Sequence, residues 1–442
     1  MTLESTVLGK IKPTTEEIAS ITRAAEDLKK AVEDYIKENG IDVEVRFVGS
    51  YAKGTYLSDP DLDLFLLFPE TAPKKDLKTI GFSVGEAILG EVEEIYSEHP
   101  YARGKYEGMD VDLVPSYSIT TTEKLRTAVD RTPFHTDFIL SNLKDEQKDE
   151  VRLLKKFMKG IGVYGAEPNT RGFSGYLCEL LILHYGSFLD VLQGASNWKD
   201  GMTITIDNKR GPPIIGSLVV YDPVDPKRNV ASAVHIDTMA LFIIASKSYL
   251  FSPSEKFFFP VERKPLSREE LQRMSDRNGS RIVTVVFDRP DSIEENLYSQ
   301  LWKTRYALTR KLNDFDYNVL KAVQEMYEKK LEIAFELERD EVSKTYKHSG
   351  PPVWVKAADS FLSKWKNNVY GQPFVEDGSW NVIAERMYFT AKEMLADEAA
   401  VSGIGREIDP HNMKIRDHET SLNETNPLLL TELLDPKNSW EI

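Results

Sequence analysis

Apolar residues recur at Ile18, Ile21, Ala25, Leu28, Val32, Tyr35 and Ile36, mostly three or four apart. That period predicts an amphipathic helix. Thr14 and Glu17 form a capping-box pattern at its start, and Asn39-Gly40 marks its end. The period then shortens. Residues 43–48 have strong strand propensity, 49–54 read as a turn entering a short helix, and 61–68 as a second strand. A helix is predicted over 76–97, with Gly81 and Gly85 in its middle, and a third strand over 106–115. This order of helix, strand, turn, strand, helix and strand describes an α/β unit.

From Lys144 the pattern is helical, with Val151, Leu154 and Met158 on one face. A second apolar helix is predicted over 172–192, with Tyr176, Leu177, Leu180 and Leu181 as core. Strand-like runs at 202–206 and 218–221 are broken by Gly-Pro-Pro and Asp-Pro, and a helix follows over 237–250. Ser252-Pro253-Ser254 marks a boundary. Beyond it come a capped helix at 267–274, a strand at 282–287 and a helix at 292–312. Val323, Tyr327, Leu331 and Phe335 predict a long helix over 319–337. The last stretch is polar, with one apolar clasp at 427–434. The chain therefore reads as a multidomain α/β (α+β) protein without internal repeats.

Composition narrows the class. At about 150 residues per domain, 442 residues make two to four domains. Hydrophobic residues at 41% and charged residues at 29% supply several cores and exclude a disordered chain. No run approaches the roughly 20 apolar residues of a membrane span, and the opening residues carry an acid and no apolar core of a signal peptide. The single cysteine, Cys178, excludes an internal disulfide framework and a cysteine-based zinc site. A cytoplasmic protein with no membrane partner is expected. The net charge of −15 argues against a broadly basic nucleic-acid binder and leaves room for a local basic face.

The chemistry concentrates in residues 49–112. On a strand, Asp61 and Asp63 point the same way, about 6.6 Å apart, while Leu62 and Leu64 turn to the core. Like charges held so close repel unless a cation joins them. A carboxylate from a neighbouring strand would complete an oxygen cage for Mg²⁺, and Met109-Asp110-Val111-Asp112-Leu113 offers one. Alternation puts Asp110 and Asp112 on one face and does not choose between them. Ahead of the acids, Gly49-Ser50 follows a strand and opens a helix, a place where backbone N–H groups meet anions. Ser50 adds a hydroxyl and Lys53 a positive charge. A phosphate cradle beside a metal cage points to nucleotidyl transfer. Either piece alone is ordinary turn or strand chemistry. Together, in this order and on so apolar a strand, they form a site.

The run Gly49-Ser50-Tyr51-Ala52-Lys53-Gly54, followed by Asp61-Leu62-Asp63, resembles the signature of the DNA polymerase β nucleotidyltransferase superfamily. Further stretches at 130–135, 152–155, 164–167, 171–181 and 222–230 resemble the archaeal (class I) CCA-adding tRNA nucleotidyltransferases. The likeness spans about residues 47–235. It implies a palm-like head (1–139), a helical neck (140–256) and a tRNA-binding α+β body and tail (257–442). It implies that Asp61, Asp63 and Asp112 hold Mg²⁺, selecting Asp112 over Asp110. Gly49, Ser50, Lys53, Lys155 and Tyr164 would serve the triphosphate, Thr132 and His135 the ribose, and Arg228 the base. The implied activity adds C, C and A to the tRNA 3′ end from CTP and ATP, in a homodimer. Poly(A) polymerase or oligoadenylate synthetase activity, or a non-catalytic RNA- or nucleotide-binding role, are the alternatives on the same scaffold.

An RNA-extending enzyme needs a cationic face. Residues 301–311 carry Lys303, Arg305, Arg310 and Lys311 and no acid, with Trp302 and Tyr306 between them. This suits phosphate contact along an RNA stem, and these four cations are the expected tRNA contacts.

Overall fold

The computed structural model describes residues 2–58, 60–95, 100–208 and 210–442. The chain divides into two compact units, Met1–Glu262 with Asn438–Ile442, and Arg263–Lys437.

The first unit opens with α1 (Leu3–Ile11), α2 (Thr15–Glu38), β1 (Glu44–Phe47), α3 (Gly49–Lys53), β2 (Leu62–Pro69), α4 (Lys74–Leu89), β3 (Glu93–Ile95), β4 (Tyr101–Tyr106) and β5 (Met109–Ser118). The five strands form one sheet in the order β1-β2-β5-β4-β3, with β2 and β5 parallel and the other neighbours antiparallel. The capping box of Thr14 and Glu17 starts α2 as expected. Ala25, Leu28, Val32 and Ile36 of this helix share a core with Leu62, Leu64, Leu66, Val111 and Leu113 of the sheet. Burying those strand residues leaves the intervening ones to face the opposite side.

Two expectations change here. The helix predicted over 76–97 stops at Leu89, because Gly90 adopts φ +78°, and the chain resumes as β3. Tyr96 and Ser97 lie outside the described residues. The strand predicted over 106–115 is a hairpin of β4 and β5, turned at Glu107 (φ 48°) and Gly108 (φ 85°).

The unit continues with α5 (Thr132–Asn142), α6 (Asp145–Gly160), α7 (Gly175–Tyr185), α8 (Phe188–Ala195), β6 (Met202–Ile204), β7 (Leu218–Val220) and α9 (Ile236–Phe251). The helix predicted over 172–192 is two helices, bent by 91°, with Gly186 at φ +106° between them. Their apolar faces are buried in the helical core around Phe157, Phe188, Phe242 and Tyr249. No single helix among the described residues is long and apolar enough to cross a membrane. The last five residues also belong to this unit and not with 263–437, whereas the resemblance implied one body and tail over 257–442. Trp440 stacks on Phe257 at 5.2 Å, and Ser439 Oγ donates to the Gly160 carbonyl at 2.7 Å.

The second unit contains α10 (Arg268–Asn278), β8 (Arg281–Asp288), α11 (Glu294–Asp314), β9 (Val319–Met326), β10 (Lys330–Leu337), β11 (Thr345–Pro352), α12 (Ala357–Trp365), β12 (Phe374–Glu376), β13 (Ser379–Glu385), α13 (Ala391–Glu398), β14 (Lys414–Arg416), α14 (His418–Glu424) and α15 (Pro427–Leu434). One sheet runs β14-β8-β10-β9 and another β11-β13-β12. The long helix predicted over 319–337 is instead the β9–β10 hairpin. Steps of four fit a helix, but they fit a strand's period of two equally well. Leu331 and Phe335 lie in the core with α11, and Val323 packs in the core on the other face, with Leu429 and Leu430 of α15.

Candidate active site

Asp63 sits in β2 between buried Leu62 and Leu64, and Asp61 immediately precedes the strand. β5 runs parallel beside it, with Asp63 and Asp112 as register partners. The ladder begins at Leu62 opposite Val111, which sets Asp112 beside Asp63. Asp110 lies beyond it and pairs with Lys105 of β4 at 3.2 Å. Burial pushes the Asp63 carboxyl up to about 7, and Asp112 and Asp61 push it the same way. Asp61 is also raised, by burial and then by Asp112. Arg103 of β4 clasps Asp112 with both of its forks, Nε to Oδ1 at 2.6 Å and Nη2 to Oδ2 at 2.7 Å.

Gly49 holds φ +69°, and a Cβ there would fall 1.8 Å from Asp63 Oδ2. A larger residue there would have to displace that carboxylate or shift the turn. Ser50 follows in the first turn of α3, and its carbonyl accepts the N–H groups of Gly54 and Thr55.

The three acids offer only carboxylate oxygens, the donors that a hard divalent cation takes. Burial is the first cause that raises Asp63, and the repulsion from Asp112 and Asp61 that adds to it is what such a cation would relieve. Among the described residues no three acidic, histidine or cysteine side chains are already gathered tightly enough to hold an ion. Arg103 now occupies both Asp112 oxygens, so a cation held there would compete with it. The residues therefore fit a divalent metal in their chemistry.

Two buried carboxylates organise the rest. Glu179 of α7 is fully buried and accepts from Lys53 Nζ at 2.6 Å and Thr55 Oγ1 at 2.6 Å. Lys155 Nζ of α6 lies 3.6 Å from it and donates to the Thr55 carbonyl at 3.1 Å. Burial acts to raise Glu179, but Lys53 and Lys155 outweigh it and hold the carboxyl below its ordinary range. Burial lowers Lys155, and Glu179 opposes that. Arg152 of the same helix ties down the strap after α3, donating to the Tyr56 carbonyl at 2.8 Å and that of Gly54 at 2.6 Å. Tyr164 closes the group: a Cβ on Gly175 would meet its hydroxyl at 3.0 Å.

The second carboxylate, Asp222, follows β7 and binds His135 Nε2 at 2.9 Å and Arg228 Nη1 at 3.0 Å. Burial lowers His135, against the pull of Asp222, so its ring favours the neutral form. Tyr176, expected to be plain core, is half-buried and stacks on His135 with centroids 4.0 Å apart. Thr132 begins α5, one turn before His135.

The structure thus brings Lys53 and Lys155 together on one carboxylate and His135 and Arg228 on another. Lys155 is only 3% exposed and aims at Thr55 and Glu179. The sequence reading missed Arg103, Thr55, Arg152, Glu179 and Asp222 as organising residues. For Glu179 a signal existed, since a lone acid within the apolar run 177–183 must find a cation if the helix is buried.

The four expected tRNA contacts lie on α11 in the second unit and divide into two kinds. Lys303 and Arg310, seven residues apart, are exposed. Arg305 donates to the Ala322 carbonyl at 3.0 Å and lies over the Trp302 ring, and Lys311 pairs with Glu398 at 2.6 Å.

Residues 27–135 match the family described as a nucleotidyltransferase domain, and 149–259 match the tRNA nucleotidyltransferase second domain. With the head sheet and its acids, this defines a nucleotidyltransferase. Residues 278–417 match the CCA-adding enzyme C-terminal domain. The CCA-adding enzyme of Methanosarcina barkeri is 38% identical over 414 residues, covering 92% of this chain and 91% of the relative. That of Methanothermobacter thermautotrophicus is 39% identical, covering 89% and 87%, and that of Archaeoglobus fulgidus 36%, covering 87% and 86%. The chain belongs to the CCA-adding enzymes, as archaeal tRNA nucleotidyltransferases. Enzymes of this type use a divalent metal. Among solved structures, the Cid1 poly(U) polymerase is similar at TM-score 0.47 and 14% identity, covering 57% of this chain and 94% of that one.

Proposed function

We propose that this chain adds C, C and A to the 3′ end of tRNA from CTP and ATP, with Mg²⁺, without a nucleic-acid template, releasing pyrophosphate. The observation that carries this reading is the opposed pair Asp63 and Asp112, flanked by Asp61 and closed on one side by Gly49. Asp61, Asp63 and Asp112 would hold Mg²⁺, which when bound favours loss of the proton from the terminal ribose hydroxyl and stabilises charge on the leaving pyrophosphate. Ser50, Lys53, Lys155 and Tyr164 bind the triphosphate; for Lys155 this requires its ammonium to turn from Thr55 toward phosphate. Thr132 and neutral His135 contact the ribose. Arg228, a donor only, reads a ring nitrogen or carbonyl of the base. The tRNA stem lies on α11, where Lys303 and Arg310 have the exposure for phosphate contact.

The same proposal includes a homodimer, supported by the resemblance, and a cytoplasmic location, supported by the one buried thiol, Cys178. The test is nucleotide addition to tRNA shortened by three, two and one residues, with each of the four NTPs and with Mg²⁺ against EDTA. Stepwise addition of C, C and A alone is expected. Repeated addition of one nucleotide without stopping would make the chain a different polymerase.

A further inference from the structure

Asp222 has no exposed surface and accepts four hydrogen bonds. Its Oδ2 takes His135 Nε2 at 2.9 Å and Arg228 Nη1 at 3.0 Å, and its Oδ1 takes the Tyr176 hydroxyl at 3.2 Å and the Val224 N–H at 3.1 Å. We infer that Asp222 is a positioning residue that aims Arg228 at the incoming base and ties base selection to the ribose contact of His135. This rests on the roles proposed above for Arg228 and His135.

Arg228 is about a third exposed, on a long side chain after a turn. A guanidinium free to rotate reads nothing, because base discrimination requires donors held in one plane. Asp222 holds Nη1 and leaves Nε and Nη2 for the base. Its own burial keeps it off the substrate. Burial by itself would raise this carboxyl, but the bonds from His135 and Val224 and the charge of Arg228 hold it below its ordinary range, so it accepts at every lone pair. The same oxygen that holds Arg228 holds His135, which is stacked on Tyr176. Base reader and ribose contact therefore share one anchor.

Asparagine separates the two partners. The Val224 N–H can only donate, so it requires the amide oxygen at the Oδ1 place, where the Tyr176 hydroxyl can still donate to it. The amide nitrogen then takes the Oδ2 place. There it can donate to neutral His135, but it opposes Arg228 donor to donor. Asp222→Asn should release Arg228 and retain His135.

The experiment measures kcat/KM for CTP, UTP and 2′-deoxy-CTP on tRNA lacking its last three nucleotides. Wild type, Asp222→Asn, Arg228→Ala and the double variant are compared. Arg228→Ala should reduce the CTP-to-UTP ratio about 5- to 150-fold, the scale of one good base contact. Asp222→Asn should bring it to the same level, the double variant should go no lower, and the CTP-to-deoxy-CTP ratio should stay near wild type. A wild-type CTP-to-UTP ratio in Asp222→Asn, with Arg228→Ala impaired, overturns the positioning role while leaving the base reader intact. An unchanged ratio in Arg228→Ala itself overturns the base reader and the positioning role with it. If Asp222→Asn does not fold, Tyr176→Phe keeps the ring stack and removes one donor. Its ratio should fall several-fold, and no change there overturns the proposal.

Discussion

Gly49 and Asp63 are packed so closely that one methyl group separates the site from its loss: a Cβ on Gly49 would lie 1.8 Å from Asp63 Oδ2. The glycine also holds φ +69°, which L side chains adopt at a cost. Gly49→Ala must displace the Asp63 carboxylate or shift the turn. We expect transfer to fall to background while CTP binding drops less, since Lys53 and Lys155 are anchored separately on Glu179. Titration of CTP against the variant, beside an addition assay, checks this. Normal turnover would show that the close contact is tolerated.

Asp63→Asn should abolish transfer and stabilise the metal-free protein. The native carboxyl is raised from 3.8 to about 7 by burial first and then by Asp112 and Asp61. The folded state thus binds this proton more tightly than the unfolded one. Its contribution to stability is present at acid pH and is lost as pH rises between about 4 and 7. Asparagine removes that loss. In EDTA, the melting temperature of the variant should exceed wild type by an amount that grows from pH 5 to pH 8. A gap that is flat with pH would contradict the raised carboxyl.

Glu179→Gln leaves Lys53 and Lys155 buried without a counter-charge. Removing one partner of a buried pair costs about 3–5 kcal/mol. Melting should fall sharply, and CTP should restore more stability to the variant than to wild type, because the triphosphate supplies the missing negative charge. Thermal melts with and without CTP measure both effects. An unchanged melt would mean that the lysines are not held by this carboxylate.

On α11 the cations should separate by role. Neutralising Lys303 and Arg310 should weaken tRNA binding and reduce the log–log salt slope by about 0.7–0.9 per lost phosphate contact, with melting unchanged. Lys311→Ala should instead lower stability through its pair with Glu398, with a smaller effect on the slope. Binding titrations across a range of salt, paired with melts, distinguish the two. An unaltered slope in the first variant would remove α11 from the RNA face.

The sequence by itself determined the capped helix α2, the strand that carries Asp63 between buried Leu62 and Leu64, and the glycine turn ahead of it. These are local properties, set by period, capping and turn chemistry within a few residues. It left the 319–337 segment open to misreading, because steps of four satisfy a helix and a strand alike, and only pairing with β8 resolves which forms. Alternation left Asp110 and Asp112 equivalent and the resemblance named Asp112; the structure adds that the register of β2 on β5 sets Asp112 beside Asp63, 49 positions away along the chain. Tertiary structure alone decided that Glu179 gathers Lys53 and Lys155, and that Asp222 gathers His135 and Arg228. A buried carboxylate must find donors wherever the chain brings them, and the cationic and histidine side chains on these two come from helices and loops between 6 and 126 residues away. Spacing along the chain carries no record of such distances, whereas the cost of an unpaired buried charge enforces them once the fold has closed.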